Sequence, residues 1–580
     1  MNQALFKGSE ISLGVVFGIQ KLWDLVSCSR LFTLHIPSNN RIIMTLAHYS
    51  EKIGKFRERG GRPFQKPWIV FLVVATSELL DAMNLSVVAT TLSQIQEKYN
   101  TTYPIASWAL SSYALCFAGF IMIMGRIGDI IGHHIIFIGG LFALSLFLLI
   151  AAAVENLYVV IVFRALQGIC AAATIPSSYA IIAHTYSGNA LKMALAALTG
   201  IMTVASGIGF VIGGAFYESS VGYRGSFYLF FALCILSSVL SFFCVRHTPT
   251  SPAKVSKLDH LGVLIMLSGA LLLVTGLTEG GARWNSPKAY VLVVIGVVLL
   301  ILFLVWELYL YKKFSWSKNL DLLIPPAMWD LPNFIPLIII LGINYGSMFT
   351  QTLASLQIFQ YVSLHSPIVS AVQTLPGPIT MTILTFLVGF LFGKIPPKYC
   401  IFFGSSISLT GAVLFSRMNY TMDSYWRYGF PAYILMSSGT VFVFINTLNT
   451  LILSCPLDMQ GLLSGVAITS GEFFVAAASA GVSSIVGNTQ FGDSLEAKEA
   501  LMKRYQKVFY LAIALSGTAF LVDFFVKNVP ISSPQKQSMD EEELKENVES
   551  ASDVVSSKNL EIPQRSTEAE GLAVEVALPQ

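Results

Sequence analysis

Fourteen apolar runs, each long enough to cross a bilayer, predict an all-α membrane protein. The first observation behind this is composition. A soluble chain carries about 25% charged residues, whereas only 12% of these 580 residues are charged and 54% are hydrophobic. Mean hydropathy is +0.66. The second is run length, since a helix needs roughly 20 apolar residues to span a hydrocarbon core of about 30 Å. Candidate spans stand near 67–92, 105–125, 134–153, 157–182, 192–216, 226–246, 258–278 and 287–311. Six more follow near 332–358, 366–392, 398–417, 427–453, 460–487 and 506–527. Helices buried in a large soluble protein would show apolar stripes backed by charged faces; these runs are apolar all round.

The ends differ from the bundle. Residues 1–66 form a basic tail with ten Lys or Arg, and their longest apolar piece, "SLGVVFGI", is too short to span. No cleavable signal pattern is evident there, and Met44 offers an alternative start. Residues 528–580 are rich in Ser, Glu and Lys and poor in aromatics, which reads as a disordered acidic tail. The net charge of +3 is too small to suggest nucleic acid. Seven cysteines (Cys28, Cys116, Cys170, Cys234, Cys244, Cys400, Cys455) show neither CxxC nor His-Cys spacing. They read as small buried hydrophobes rather than disulfide or metal ligands. No metal and no cofactor is expected.

The basic stretch "EKIGKFRERGGRPFQK" before the first span places the N-terminus in the cytoplasm by the positive-inside rule. An even span count then returns the C-terminus to the same side. The remaining loops are balanced, with about ten Lys or Arg on each face. Two glycosylation sequons, at Asn100 and Asn419, fall in loops that this topology puts outside, while a third, at Asn84, lies inside the first span.

Between the second and third spans stands "GRIGDIIGHH", in which Gly125, Asp129 and Gly132 fit G-x-x-x-D-x-x-G. So short a connection needs glycine for close approach and left-handed backbone. An aspartate there can receive a helix N-terminus or a basic side chain. In the fourth span, "FRALQGICAAA" sets Arg164, Gln167 and Gly168 in R-x-x-Q-G. In the fifth, "GFVIGG" carries Gly209, Gly213 and Gly214. Together these resemble the signatures of the major facilitator superfamily, specifically its 14-span drug:proton antiporter branch with fungal relatives. The resemblance covers about residues 67–527. Three departures are plain: Ile130 where the family carries Arg or Lys, His133 and His134 where it carries two cations, and Phe210 where antiporters carry proline. His133 and His134 would make the loop sensitive to pH or simply be hydrated at a helix start.

The resemblance implies a six-helix bundle over 67–246, an inserted helix pair within 247–331 and a second six-helix bundle over 332–527. It also implies that the loop between spans 2 and 3 latches one face shut in one conformation, and that spans 1 and 4 line the N-terminal cavity.

Charges inside a bilayer cost a few kcal/mol and seldom lack a partner or a role. Glu78 and Asp81 share a face of the first span, three residues apart. Entering from opposite sides, Asp81 lies roughly 21 Å into its span and Arg164 roughly 10 Å into its own, so the two meet at one depth in a core of about 30 Å. The expectation is an Arg164 pair with Asp81 or Glu78. A carboxylate beside a guanidinium holds its charge, and one alone in low dielectric takes up a proton. Moving the arginine would therefore load or release a proton; a static ion pair is the alternative. Glu472 is a candidate for binding or proton transfer on the C-terminal side, with Asn84 and Gln167 as polar lining. "NYGSMFTQT" and "TLPGP" interrupt two later spans, and such breaks are tolerated where they line a cavity. They make Asn344, Gln351 and Gln373 second-tier candidates.

The expected function is secondary active transport by alternating access, coupled to protons and exporting small molecules or drugs. The alternatives are a carrier for a small ion or metabolite (ammonium, borate, amino acids) and a non-transporting sensor on the same fold. The expected partners are a small-molecule or ion substrate, protons and the lipid bilayer, for a monomer in the plasma membrane or a vacuolar or other internal membrane. No Walker loop, HExxH or G-x-G-D motif is present, which disfavours ATP-driven transport and intramembrane proteolysis.

Overall fold

The computed structural model describes residues 65–248, 259–282, 284, 286–309, 322–391, 394–455, 460–487 and 494–528. The expected tails and Cys28 lie outside these residues. With no water in a bilayer core, a spanning backbone must satisfy its own hydrogen bonds, which leaves the helix as the solution for long apolar runs. Among the described residues fourteen helices are long and apolar enough to cross. They are α1 (Pro67–Lys98), α2 (Tyr103–Ile131), α3 (His133–Ala153), α4 (Leu157–Thr185), α5 (Met193–Glu218), α6 (Tyr223–Cys244) and α7 (His260–Gly281). The chain continues with α8 (Pro287–Leu308), α9 (Phe334–Val362), α10 (Pro367–Gly389), α11 (Pro397–Ser416), α12 (Met422–Ile452), α13 (Leu463–Val486) and α14 (Leu495–Phe525).

Each helix falls on an expected run. The largest discrepancy is α14, which starts eleven residues before the expected 506. "LEAKEALMKRYQK" is too charged to count as apolar, yet it is built of good helix formers. Ser494 caps it by accepting from the Ala497 N–H at 3.3 Å. Leu501, Met502 and Tyr505 are buried, so this extension packs on one face while its charges reach water.

Within the first six helices, α2 and α3 pack on α4, α5 packs on α1, and α6 packs on α3 and α1. In the second half α9 packs on α13 and α14, while α12 packs on α10 and α11. Two seams join these halves: α2 against α13, and α5 against α10. Helix α7 lies along α13 and touches α2, with α8 packed on α7. Asp259 fastens that pair, accepting from the Gly262 N–H at 2.9 Å and from the Trp306 indole at 2.6 Å.

Glycines set how closely the seams approach. A Cβ at Gly209 or Gly213 would meet the α1 backbone at Met83 or Val87, whereas one at Gly214 would meet Ile368 of α10. The "GFVIGG" motif therefore packs α5 on both halves at once. The "TLPGP" break serves the same seam, with Pro378 against Gly207 and Gly377 facing Tyr433 of α12.

Candidate functional site

Arg164 is fully buried at the centre of the first six helices. Its position follows from Gly168, one turn along α4, where any Cβ would run into the Tyr113 backbone carbonyl of α2. The absence of a side chain there lets α4 lie directly on α2. The Arg164 Nε then donates to the Ala109 carbonyl at 2.9 Å. Its Nη1 donates to Asn84 Oδ1 at 3.0 Å and to Gln167 Oε1 at 2.8 Å. The guanidinium sits 4.4 Å from the centroid of the Tyr113 ring. Gln167 in turn donates to the Phe147 carbonyl at 3.2 Å.

The two acids of α1 are buried at the same place but are not ion-paired with this arginine. The expected direct pair is replaced by a relay: the Tyr113 hydroxyl donates to Asp81 Oδ1 while its ring faces Arg164. Asp81 and Arg164 stay within electrostatic reach of each other. Glu78, one turn away on α1, accepts from the Ser178 hydroxyl of α4. The physical reason for the correction is that Arg164 has already found three neutral acceptors on α1, α2 and α4. Its Nη2, Asn84 Nδ2 and Glu78 Oε2 remain buried without partners.

Glu472 of α13 faces this group from the other half, within electrostatic reach of Asp81, Tyr113 and Tyr345. It is half-buried, as are Tyr345 near it and Tyr179 and Phe444 beside Tyr345. Tyr345 stacks on Phe444 with centroids 5.5 Å apart. The second-tier residues lie elsewhere. Gln351 donates to Ser347 Oγ at 3.1 Å, and Ser347 bonds Ser516 of α14 at 2.7 Å, so that stripe faces α14. Asn344, one turn before Ser347, is buried; its neighbour Tyr345 is the residue near Glu472. Gln373 ties His365 to Met422 at the end of α10, away from the centre. Tyr113, Ser178, Tyr179, Tyr345 and Phe444 were not among the sequence candidates. The depth ruler applied to α2 finds Tyr113, which lies roughly 15 Å into that helix; nothing in the sequence marks the others among so many aromatics and serines.

At one face the two halves are laced together. Gln360 Nε2 donates to the Thr90 carbonyl at 2.9 Å, and Gln357 Nε2 donates to the Tyr103 hydroxyl at 2.6 Å. Ser107 donates to Ser483 at 3.2 Å, and the hydroxyls of Ser111 and Ser479 lie 2.9 Å apart. Gln360 stands in a π-helical turn, Ile358–Val362, that ends α9. Asn100 and Asn419 are exposed in connections at this face.

At the opposite face the expected loop is a single residue. Gly132, at φ 110°, separates α2 from α3. Asp129 pairs with His133 Nε2 at 2.9 Å, so its partner comes from the first turn of α3. His134 bonds His247 at 2.9 Å and Thr248 Oγ1 at 3.1 Å. Gly125 approaches Pro176 of α4.

Known proteins match this architecture. The chain is 25% identical over 489 residues to an efflux pump of Aspergillus terreus, covering 80% of this chain and 89% of that one. It is 25% identical over 464 residues to a low affinity ammonium transporter of Saccharomyces cerevisiae, covering 78% and 86%. An autoinhibited peptide transporter of the POT family superposes with a TM-score of 0.53 at 15% identity, covering 79% of this chain and 96% of that one. The family model of the Major Facilitator Superfamily matches residues 74–480, and the chain belongs to that superfamily of membrane transporters.

Proposed function

We propose that this transporter is a proton-coupled exporter of small molecules working by alternating access, with both termini in the cytoplasm. Spans α1–α6 and α9–α14 are the two rocking bundles, and α7 and α8 ride beside the α2–α13 seam. The observation that carries the coupling is the Asp81–Tyr113–Arg164 relay between three helices of one bundle. Asp81 exchanges the proton. Ionised, it accepts the Tyr113 hydroxyl beside the arginine; protonated, it gives up the charge that holds α1 to α2 and α4 at this depth. The chemistry asks nothing more than proton transfer to a carboxylate as the bundles move. The 25%-identical efflux pump supports export, and the ammonium transporter supports transport of a small ion as the second reading.

A growth screen of deletion and overexpression strains against drugs, amino acids, ammonium and borate identifies the solute. With the solute in hand, Asp81→Asn is expected to abolish concentrative transport while the protein still reaches its membrane. Undiminished accumulation by Asp81→Asn would exclude this coupling, and a sensor would keep signalling without it.

A further inference from the structure

We infer that His134 is a proton sensor separate from the coupling at Asp81. Neutral, it ties the first turn of α3 to the chain leaving α6; protonated, it releases that chain, which leads on to the inserted pair α7 and α8. The proposed orientation makes this the cytoplasmic side, while the tie itself rests on geometry.

Histidine is the side chain that changes charge near neutral pH. The chain has eight, and four of them share this face. His133 and His134 open α3, His184 stands at the end of α4, and His247 follows α6. His184 is within electrostatic reach of His133 and Asp129. The α3 histidines are not hydrated as surface residues would be, since His133 is 7% exposed and His134 3%.

Hydrogen bonds fix where the protons of the central pair sit. The Thr248 N–H donates to His134 Nδ1 at 3.2 Å, so that nitrogen is bare. The proton of neutral His134 is therefore on Nε2, which donates to His247 Nδ1 at 2.9 Å. The His134 N–H returns a bond to Thr248 Oγ1 at 3.3 Å, and that hydroxyl stands 3.1 Å from Nδ1. The two rings meet edge to face with centroids 4.5 Å apart.

Two protons fit this pair and a third does not. Placed on His247 Nδ1, it faces the His134 Nε2–H. Placed on His134 Nδ1, it faces the Thr248 N–H. The Thr248 hydroxyl can accept it there, but the N–H of a buried residue then loses its acceptor. Among the described residues, the titratable and charged groups at this end of the helices packed on α3 are Arg126 and Asp129 on α2, His184 on α4, and Arg246 and His247 after α6. The acid among them, Asp129, already serves His133 at 2.9 Å, and Arg246 donates to the Gln65 carbonyl at 3.2 Å. The two neighbours thus answer acid in opposite ways. A proton strengthens the His133–Asp129 pair inside the α2–α3 turn and breaks the His134–Thr248 tie. Past Thr248 the chain runs to α7, which lies along α13 and touches α2. Acid at this face therefore lengthens the tether by which α7 and α8 hang from the first bundle.

The test is amide exchange at Thr248, read by mass spectrometry on the full-length protein in detergent and corrected for the intrinsic effect of pH. Protection should fall roughly ten-fold between about pH 7.5 and about pH 5.5. His134→Asn offers an acceptor at the Nδ1 position and takes no proton, so it should keep Thr248 protected throughout. His133→Asn and Asp81→Asn should retain the step, which separates the sensor from the Asp129 pair and from the coupling acid. Size-exclusion profiles monitor folding. If His134→Asn does not fold, the histidine nitrogen resonances of the parent decide: one imidazole must have a bare Nδ1 at the higher pH and gain its second proton where Thr248 loses protection. An unchanged Thr248 amide in the parent, a step that survives His134→Asn, a step lost in Asp81→Asn or His133→Asn, or no such imidazole would each overturn the proposal. Exchange is measured without solute or gradient, so failure of the transport reading leaves this result standing.

Discussion

Arg164 cannot leave its place without breaking three hydrogen bonds and its contact with the Tyr113 ring. Those bonds come from the fork of a guanidinium, which lysine lacks. Arg164→Met should leave the side-chain oxygens of Asn84 and Gln167 unsatisfied in the core, at a cost of about 3 kcal/mol. A lower Tm in detergent is the expected reading, and Asp81→Asn, which keeps an oxygen for Tyr113, should leave Tm near that of the parent. Equal Tm values for the Arg164→Met variant and the parent would mean that the network adds nothing to stability. Depth arithmetic on the sequence was enough to bring Asp81 and Arg164 to one level, because rise per residue is fixed. It could not show that Tyr113 stands between them. That depends on side-chain direction and on neutral acceptors such as Ala109, whose carbonyl is invisible to any inventory of charges.

Among the helices, small residues determine contact. Gly168 explains why R-x-x-Q-G ends in glycine: the next layer is the α2 backbone itself. Gly168→Val is expected to push α4 off α2, costing about 1–3 kcal/mol through overpacking. It should disturb Arg164 without touching it, read as lowered Tm and loss of transport together. Transport at the parent level in this variant would show that the α2–α4 contact does not position the site. The span count and most boundaries were legible because apolar length is dictated by the bilayer. The start of α14 was not, since an amphipathic extension reads as a loop to a ruler based on hydropathy. The 2–3 connection was read as a loop and is one glycine, Gly132, whose φ of 110° is one that other residues rarely adopt. Asp129, expected in that loop, lies instead in the last turn of α2, and its partner, His133, required the geometry.

For the whole molecule, the lacing between Gln357, Gln360, Ser107 and Ser111 and their partners holds one face closed. The alternating access proposed for this transporter requires it to open. Ser111→Cys with Ser479→Cys places two thiols where the hydroxyls are 2.9 Å apart, close enough for a disulfide. Oxidation should stop transport and reduction should restore it; full transport by the cross-linked protein would show that this face need not part. If this face is the outer one, as the sequons at Asn100 and Asn419 suggest, a tag at residue 420 should be reachable only from outside the cell.

Proton binding at Asp81 and separation of this face are two sides of one equilibrium in the proposed mechanism, and they can be observed without knowing the solute. Spin labels at Asn100→Cys and Asn419→Cys, both exposed in connections of the closed face, report its width by electron–electron resonance. The labelled protein should shift to longer distances on acidification, because protonation removes the charge that Tyr113 and Arg164 hold in the closed form. Asp81→Asn should show one distribution at every pH. A pH shift that survives Asp81→Asn, or none in the parent protein, would contradict proton coupling through Asp81.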